Sequence, residues 1–165
     1  MNFKKILYWL PVLAIMITVF YFSSQDATTS SDTSSGFSEF LAEIISPDYE
    51  SKSKAYQKEL LENCQFVVRK SAHFSIYALM GFLSFNAFRQ HKRVPKKQLL
   101  AAVLCMLYSV SDEIHQTFVP GRSCELRDIV IDTCGAVTGI LFLSLLLFLY
   151  NKYKTKIKSV KEKTT

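Results

Sequence analysis

Residues 129–150 read IVIDTCGAVTGILFLSLLLFLY, 22 positions with a single acid, Asp132, near the start. A helix needs roughly 20 mostly apolar residues to cross the hydrocarbon of a bilayer, so this run is long enough. Buried helices of soluble bundles seldom carry an unbroken Leu/Phe stretch such as Ile140 to Tyr150, because one face of such a helix must meet water. Three more uncharged blocks lie upstream: the 17 residues Ile6 to Phe22, then Phe74 to Phe88, then Gln98 to Ser111. The first is marginal in length. The other two span only if their helices continue past charged residues, and Phe66-Val67-Val68 before Arg69-Lys70 and Phe118-Val119 after His115-Gln116 supply that continuation. The expected fold is all-α: a single domain over 1–165, an integral membrane bundle of four transmembrane helices at about 5–22, 66–88, 98–117 and 128–150.

Composition agrees. The 165 residues are 49% hydrophobic yet carry 20 Lys+Arg and 14 Asp+Glu, which requires apolar and charged residues to be segregated into blocks. Lys4 and Lys5 precede the first block. Arg89, Lys92, Arg93, Lys96 and Lys97 lie between the second and third, and Lys152, Lys154, Lys156, Lys158, Lys161 and Lys163 follow the fourth. These segments hold 13 of the 20 basic residues and one acid, Glu162; the rest of the chain holds 7 basic residues and 13 acids. The positive-inside rule then predicts a multi-pass protein of the cell membrane, with both termini and the middle loop cytoplasmic. The basic tail 151–165 faces anionic inner-leaflet lipid, so nucleic acid is not needed to explain the net charge of +6. Lys4-Lys5 and the apolar run after them also fit a signal peptide, but FSSQDA lacks a small-x-small cleavage site, and an uncleaved anchor is the preferred reading. Four cysteines are too few for a disulfide scaffold.

Between the first two blocks, Ser23 to Ser35 is a polar exit from the membrane. Phe37, Phe40, Leu41, Ile44 and Ile45 then follow helical spacing, with Ser34 or Ser35 as N-cap, and the helix ends before Pro47. This amphipathic piece either covers the outer face of the bundle or lies in the headgroup plane. A second stretch from about Lys54 carries Tyr56, Leu60 and Cys64 on one side and runs into the second spanning helix without a break. Together they form an outer helical segment of about 36–64.

Ionisable groups at membrane depth are costly, which makes them functional candidates. Lys70, His73 and Tyr77 share one helical face. Ser109 aligns with Asp112 or Glu113 and then Gln116. Asp128, Asp132, Gly135 and Gly139 share another face. VPGRSCELRD places a Pro120-Gly121 turn before Arg122. Acids (Asp112, Glu113, Asp128, Asp132) and bases (Lys70, Arg122, Arg127) thus gather at one level. One reading is a neutralised cluster that pins helices together. The other is a polar pocket that opens outward, in which Arg122 suits a phosphate or carboxylate and His73 or His115 carries protons. Gly135 and Gly139 form a GxxxG pair, read as intramolecular packing before dimerisation. No metal is expected, since no two histidines have the i, i+4 spacing of HExxH, and no cofactor is expected, since no phosphate loop is present.

With those residues set out, the chain resembles the VanZ-like family of small bacterial membrane proteins. FYFSSQ at 20–25 is similar to the family's exit from the first helix. RKSAHFSIYALMGFL at 69–83 is similar to its K-x-x-H-x-x-x-Y element, carried by Lys70, His73 and Tyr77. SDEIHQTFVPGRSCELRDIVIDTCGAVTG at 111–139 is similar to its most specific block, through Asp112, Glu113, His115, Gln116, Pro120, Gly121, Arg122, Asp128, Gly135 and Gly139. Asp132 departs from it, standing where the family usually has Asn. The resemblance implies a cell-envelope protein connected with low-level resistance to teicoplanin, a glycopeptide that targets wall precursors at the outer membrane face. Two functions follow as expectations. The first is a binder of an anionic lipid headgroup or wall precursor, with Lys70, His73, Tyr77, Asp112, Glu113, Gln116, Arg122, Asp128 and Asp132 at the site. The second is a membrane-embedded enzyme acting on a lipid phosphate or wall precursor, with His73, Glu113 or His115 as acid–base groups. Oligomeric state is left open.

Overall fold

A computed structural model describes residues 3–164, with side-chain surroundings for 5–26 and 35–158; the side chains of Ser34 and of Lys161, Glu162 and Lys163 lie outside that set. The elements run α1 (Phe3–Ile6), a 3₁₀ turn (Leu7–Trp9), α2 (Leu10–Ser23), α3 (Ala27–Ile45), a second 3₁₀ turn (Tyr49–Ser51), α4 (Lys54–Arg89), α5 (Lys97–Gln116) and α6 (Leu126–Thr164). Among the described residues there is no strand.

Local chemistry explains the boundaries. Pro11 stands in the first turn of α2, where its missing N–H costs nothing. The Ser53 hydroxyl caps α4 by accepting from the Tyr56 amide at 3.4 Å. The Gln57 amide donates to the carbonyls of Tyr49, Glu50 and Lys52, tying the preceding 3₁₀ turn to the start of α4. Neither Gly nor Pro interrupts Lys54–Phe74, and α4 runs through it unbroken. Between α5 and α6, Gly121 has φ 74° and the Arg122 amide donates to the Val119 carbonyl at 3.1 Å. That is a type II turn with Pro and Gly in their favoured places.

The amphipathic outer helix differs from expectation. It begins at Ala27, not after Ser34 or Ser35, so both serines are interior to α3 and neither is its cap. Asp26, a residue type favoured at N-caps, directly precedes it. Its contact face is also narrower than the spacing implied. Ser38 and Ala42 are buried, while Phe37, Phe40, Ile44 and Ile45 are exposed. Small residues seat α3 against α4, Leu41 is partly buried, and the other large apolar residues stay exposed.

α4 and α6 form the most extensive interface, and α5 packs against both. Three glycines permit the close approach. A Cβ on Gly81 would collide with the Ala136 backbone, one on Gly135 with that of Phe74, and one on Gly139 with that of Ala78. The GxxxG pair of α6 is therefore used within the chain. Two apolar clusters fill the interior, one around Tyr77, Met80 and Cys105, the other around Phe85, Ala101 and Ile140.

The outside of the bundle is more apolar than parts of its inside. α5 buries Ser109, Asp112, Glu113 and Gln116 and exposes Leu99, Val103, Met106, Leu107 and Ile114. α6 exposes Leu141, Phe142, Leu145, Phe148 and Leu149. Among the described residues, one helix qualifies as a membrane span by length and hydropathy alone, α6 over Leu126–Lys158; Leu7–Ser23 is apolar but shorter.

The two ends of the bundle differ. At one end, Trp9 packs edge-on against Phe88, the Lys97 ammonium reaches the Arg89 carbonyl at 3.4 Å, and Gln98 bonds Ser144 at 2.9 Å. This end gathers the N-terminal region, the basic turn between α4 and α5, and the stretch of α6 that leads into its lysine-rich tail. At the other end lie the α2–α3 junction, the Val119–Arg122 turn and the polar cluster.

Candidate functional site

The cluster assembles from four helices and one turn. The Lys70 ammonium sits 2.5 Å from both carboxylate oxygens of Asp128 and 3.7 Å from Glu125. Arg127 bonds the same Glu125 carboxylate at 2.8 Å. Both cations lie over the Phe66 ring, at 5.3 Å for Lys70 and 4.7 Å for Arg127, within cation–π range. Glu113 is fully buried and accepts the Glu125 backbone N–H at 2.8 Å, which fixes the start of α6 to α5.

Deeper in the bundle, the Ser23 hydroxyl donates to Asp112 at 2.8 Å and the Gln116 amide donates to the same oxygen at 3.1 Å. The Ser109 hydroxyl donates to Asp132 at 2.9 Å, and His73 Nδ1 stands 3.6 Å from the other oxygen of that fully buried carboxylate. A base therefore stands beside Asp132, the position that departs from the resemblance. Tyr77 is fully buried next to this pair, within the apolar core.

Two cavities open here. A polar cleft of about 200 Å³ is lined by Lys70, Gln116, Ser123, Glu125 and Asp128 among others. An apolar groove of about 330 Å³ lies between α2, α3 and α4. Both include Arg69, His73 and Arg122. Nε of Arg69 and Nε of Arg122 are buried without a hydrogen-bond partner, and among the described residues neither guanidinium forms an ion pair. Burial pushes the Arg122 guanidinium below its ordinary value, Arg69 adds to that, and Asp112, Glu113 and Asp128 oppose it. Arginine nonetheless stays protonated at any working pH. Glu125 is held below the usual carboxylate range by the Arg127 hydrogen bond, with Lys70 adding to it.

Lys70, Glu113, Gln116, Asp128 and Arg122 thus come together, with Asp112, His73 and Asp132 on the inner side. His115 does not join them: its ring stacks on Phe20 at 4.5 Å and lines neither cavity. Lys70 is bound to two carboxylates, so the cations left for an incoming anion are the arginines. Arg69 was not among the expected site residues. It precedes His73 by four positions and so shares its helical face, the spacing that could have marked it. Ser23 and Glu125 were likewise missed, the first a capping-type serine in the SSQ exit, the second an acid in a loop of mixed charge.

All four cysteines are free, so Cys64 and Cys124 are not joined. A family model described as VanZ/LLP1 matches residues 8–148, most of the chain. No curated protein and no solved structure matches it. The family is membrane-associated, in keeping with the apolar α6. The chain belongs to the VanZ/LLP1 family.

Proposed function

We propose that this is a four-span protein of the cell membrane, with both termini cytoplasmic, that binds an anionic lipid headgroup or wall precursor at the outer leaflet. Three features support the spans: apolar residues outside and polar residues inside, the gathering of basic segments at one end, and the polar cavities at the other. The observation that carries the binding function is the pair of guanidinium groups, Arg69 and Arg122, which have no bonded partner among the described residues and stand where cleft and groove meet. Guanidinium groups bind phosphate and carboxylate through paired N–H donors. Lys70, clamped by Asp128 and Glu125, acts here as a buttress that orients the turn, and Glu113 and Gln116 hold the α5 side. Occupying a wall precursor or lipid at this level is a route to lowered teicoplanin susceptibility.

Native mass spectrometry of detergent-purified protein tests the binding. Wild type should retain anionic phospholipid over phosphatidylcholine, and Arg122→Ala and Arg69→Ala should each lose that preference. Equal retention by all three proteins rejects the arginine site. The inhibitory concentration of teicoplanin in a sensitive host, with membrane levels matched by blot, tests the consequence for resistance.

A second reading rests on His73, which lines both cavities with Asp132 behind it. A histidine backed by a carboxylate is an acid–base arrangement, and here it fits an enzyme acting on a lipid phosphate or wall precursor. A binder tolerates His73→Gln better than Arg122→Ala, whereas an enzyme loses turnover with either.

A further inference from the structure

The groove between α2, α3 and α4 is walled by Phe22, Phe37, Val68, Ala72 and Ile76 and meets Arg69 and Arg122 in the same cavity. Its lining combines hydrocarbon walls with two cations that, among the described residues, lack bonded partners. A soluble anion has no use for the apolar walls, and an uncharged hydrocarbon leaves the arginines unanswered. The apolar surface also continues outward: Phe40 and Ile44 lie one and two turns beyond Phe37 on the same side of α3, and all three are exposed. A path from the lipid phase into the groove therefore runs along this exposed apolar side of α3.

Building on the anion-binding reading, we infer that the groove seats one hydrocarbon chain of an anionic membrane lipid whose phosphate meets Arg69 and Arg122. The ligand is then an amphiphile taken laterally from the bilayer. The exposed side of α3 is its entrance, which gives the outward-facing Phe37, Phe40 and Ile44 a role that packing against the bundle does not.

Tryptophan quenching by brominated lipid chains tests this seat. In a Trp9→Phe background, Val68→Trp places a reporter in the groove, and Leu107→Trp places one on the exposed outer face of α5. Phe37→Trp, at an exposed wall position, serves as a second groove reporter should Val68→Trp fail to fold. Each protein goes into phosphatidylcholine nanodiscs containing phosphatidylglycerol, with bromine on the chains of one lipid or the other. The groove reporters should show roughly tenfold preference for the anionic lipid's chains, the lower end for a charge-assisted hydrogen bond. Arg122→Ala should abolish it, and the α5 reporter should show none. Equal preference at positions 68 and 107 means that anionic lipid merely surrounds the bundle, and overturns the inference. Absence of preference at the groove, with Arg122-dependent phosphatidylglycerol still retained in native mass spectra, overturns the chain seat but leaves headgroup binding standing. Loss of Arg122-dependent retention by both methods removes the anion-binding reading and this inference with it.

Discussion

Replacing Gly139 by Ala sets two effects against each other. Alanine is the better helix former by about 1 kcal/mol, and Gly139 lies well inside α6. Against this, a Cβ at 139 would collide with the Ala78 carbonyl oxygen and press on the Phe82 amide. Both are backbone atoms of α4, which cannot rotate away as a side chain can, so α4 and α6 must move apart along their main interface. Overpacking of this kind costs about 1–3 kcal/mol. Because the added Cβ meets backbone, the clash wins, and Gly139→Ala should be destabilised by up to about 2 kcal/mol net. Gly36 is the internal control, since it is also helical but nothing lies within 4 Å of its added Cβ. Gly36→Ala should therefore be neutral or stabilised by up to about 1 kcal/mol. Gly135→Ala, facing the Phe74 carbonyl oxygen, should resemble Gly139→Ala. The double variant should lose less than the sum, because one helix displacement relieves both clashes. Thermal unfolding in a fixed detergent, followed by circular dichroism, orders the four variants against wild type. Gly139→Ala at or above wild type, or Gly36→Ala below Gly139→Ala, would refute the argument that α4 and α6 pack backbone to backbone.

Lys70→Met should destabilise the fold by about 2–4 kcal/mol, because it strands the largely buried Asp128, and adding Asp128→Leu should recover most of that loss in the same melts. Asp132→Asn keeps an oxygen for the Ser109 hydroxyl and should melt close to wild type, whereas Asp132→Leu leaves that hydroxyl and His73 unanswered and should cost about 1–3 kcal/mol. Because the folded Glu125 carboxyl titrates below its ordinary value, its clamp is complete above that ordinary value and is lost as pH falls through the lower, folded one. Hydrogen exchange at the start of α6 should therefore rise only below about pH 4, and from a higher pH in Arg127→Gln; the stability change should be small, since Glu125 is partly exposed. In whole cells, an impermeant maleimide should label the exposed Cys124 and spare Thr155→Cys on the far end of α6, and the reverse pattern would invert the proposed orientation.

Much of the architecture was written in short-range chemistry. The three later apolar blocks each lie in one helix, and Ile6 to Phe22 passes through the 3₁₀ turn at Leu7–Trp9 into α2, because a chain of that composition must satisfy its backbone internally. Pro120-Gly121 specified its turn, since Pro presets the first central position of a type II turn and Gly takes the positive φ of the second. Helical periodicity put Lys70 and His73 on one face of α4 and Asp128 and Asp132 on one face of α6, because it decides which side chains of a helix share a face. Local patterns also erred where several states compete: the Ser/Thr-rich run before Gly36 has weak helix propensity, yet α3 begins at Ala27. What no local pattern holds is which cation is already bound. Lys70 and Arg69 are adjacent in sequence, but the helix turns them about 100° apart, so Lys70 meets Asp128 and Glu125 while Arg69 opens into the groove with Arg122. The side of α3 that faces the bundle was equally out of reach, since small Ser38 and Ala42 fit closely against α4 and larger residues do not. Periodicity determined the elements and their faces; the pairing of charges and the groove between α2, α3 and α4 depend on distances between helices, which only the tertiary structure sets.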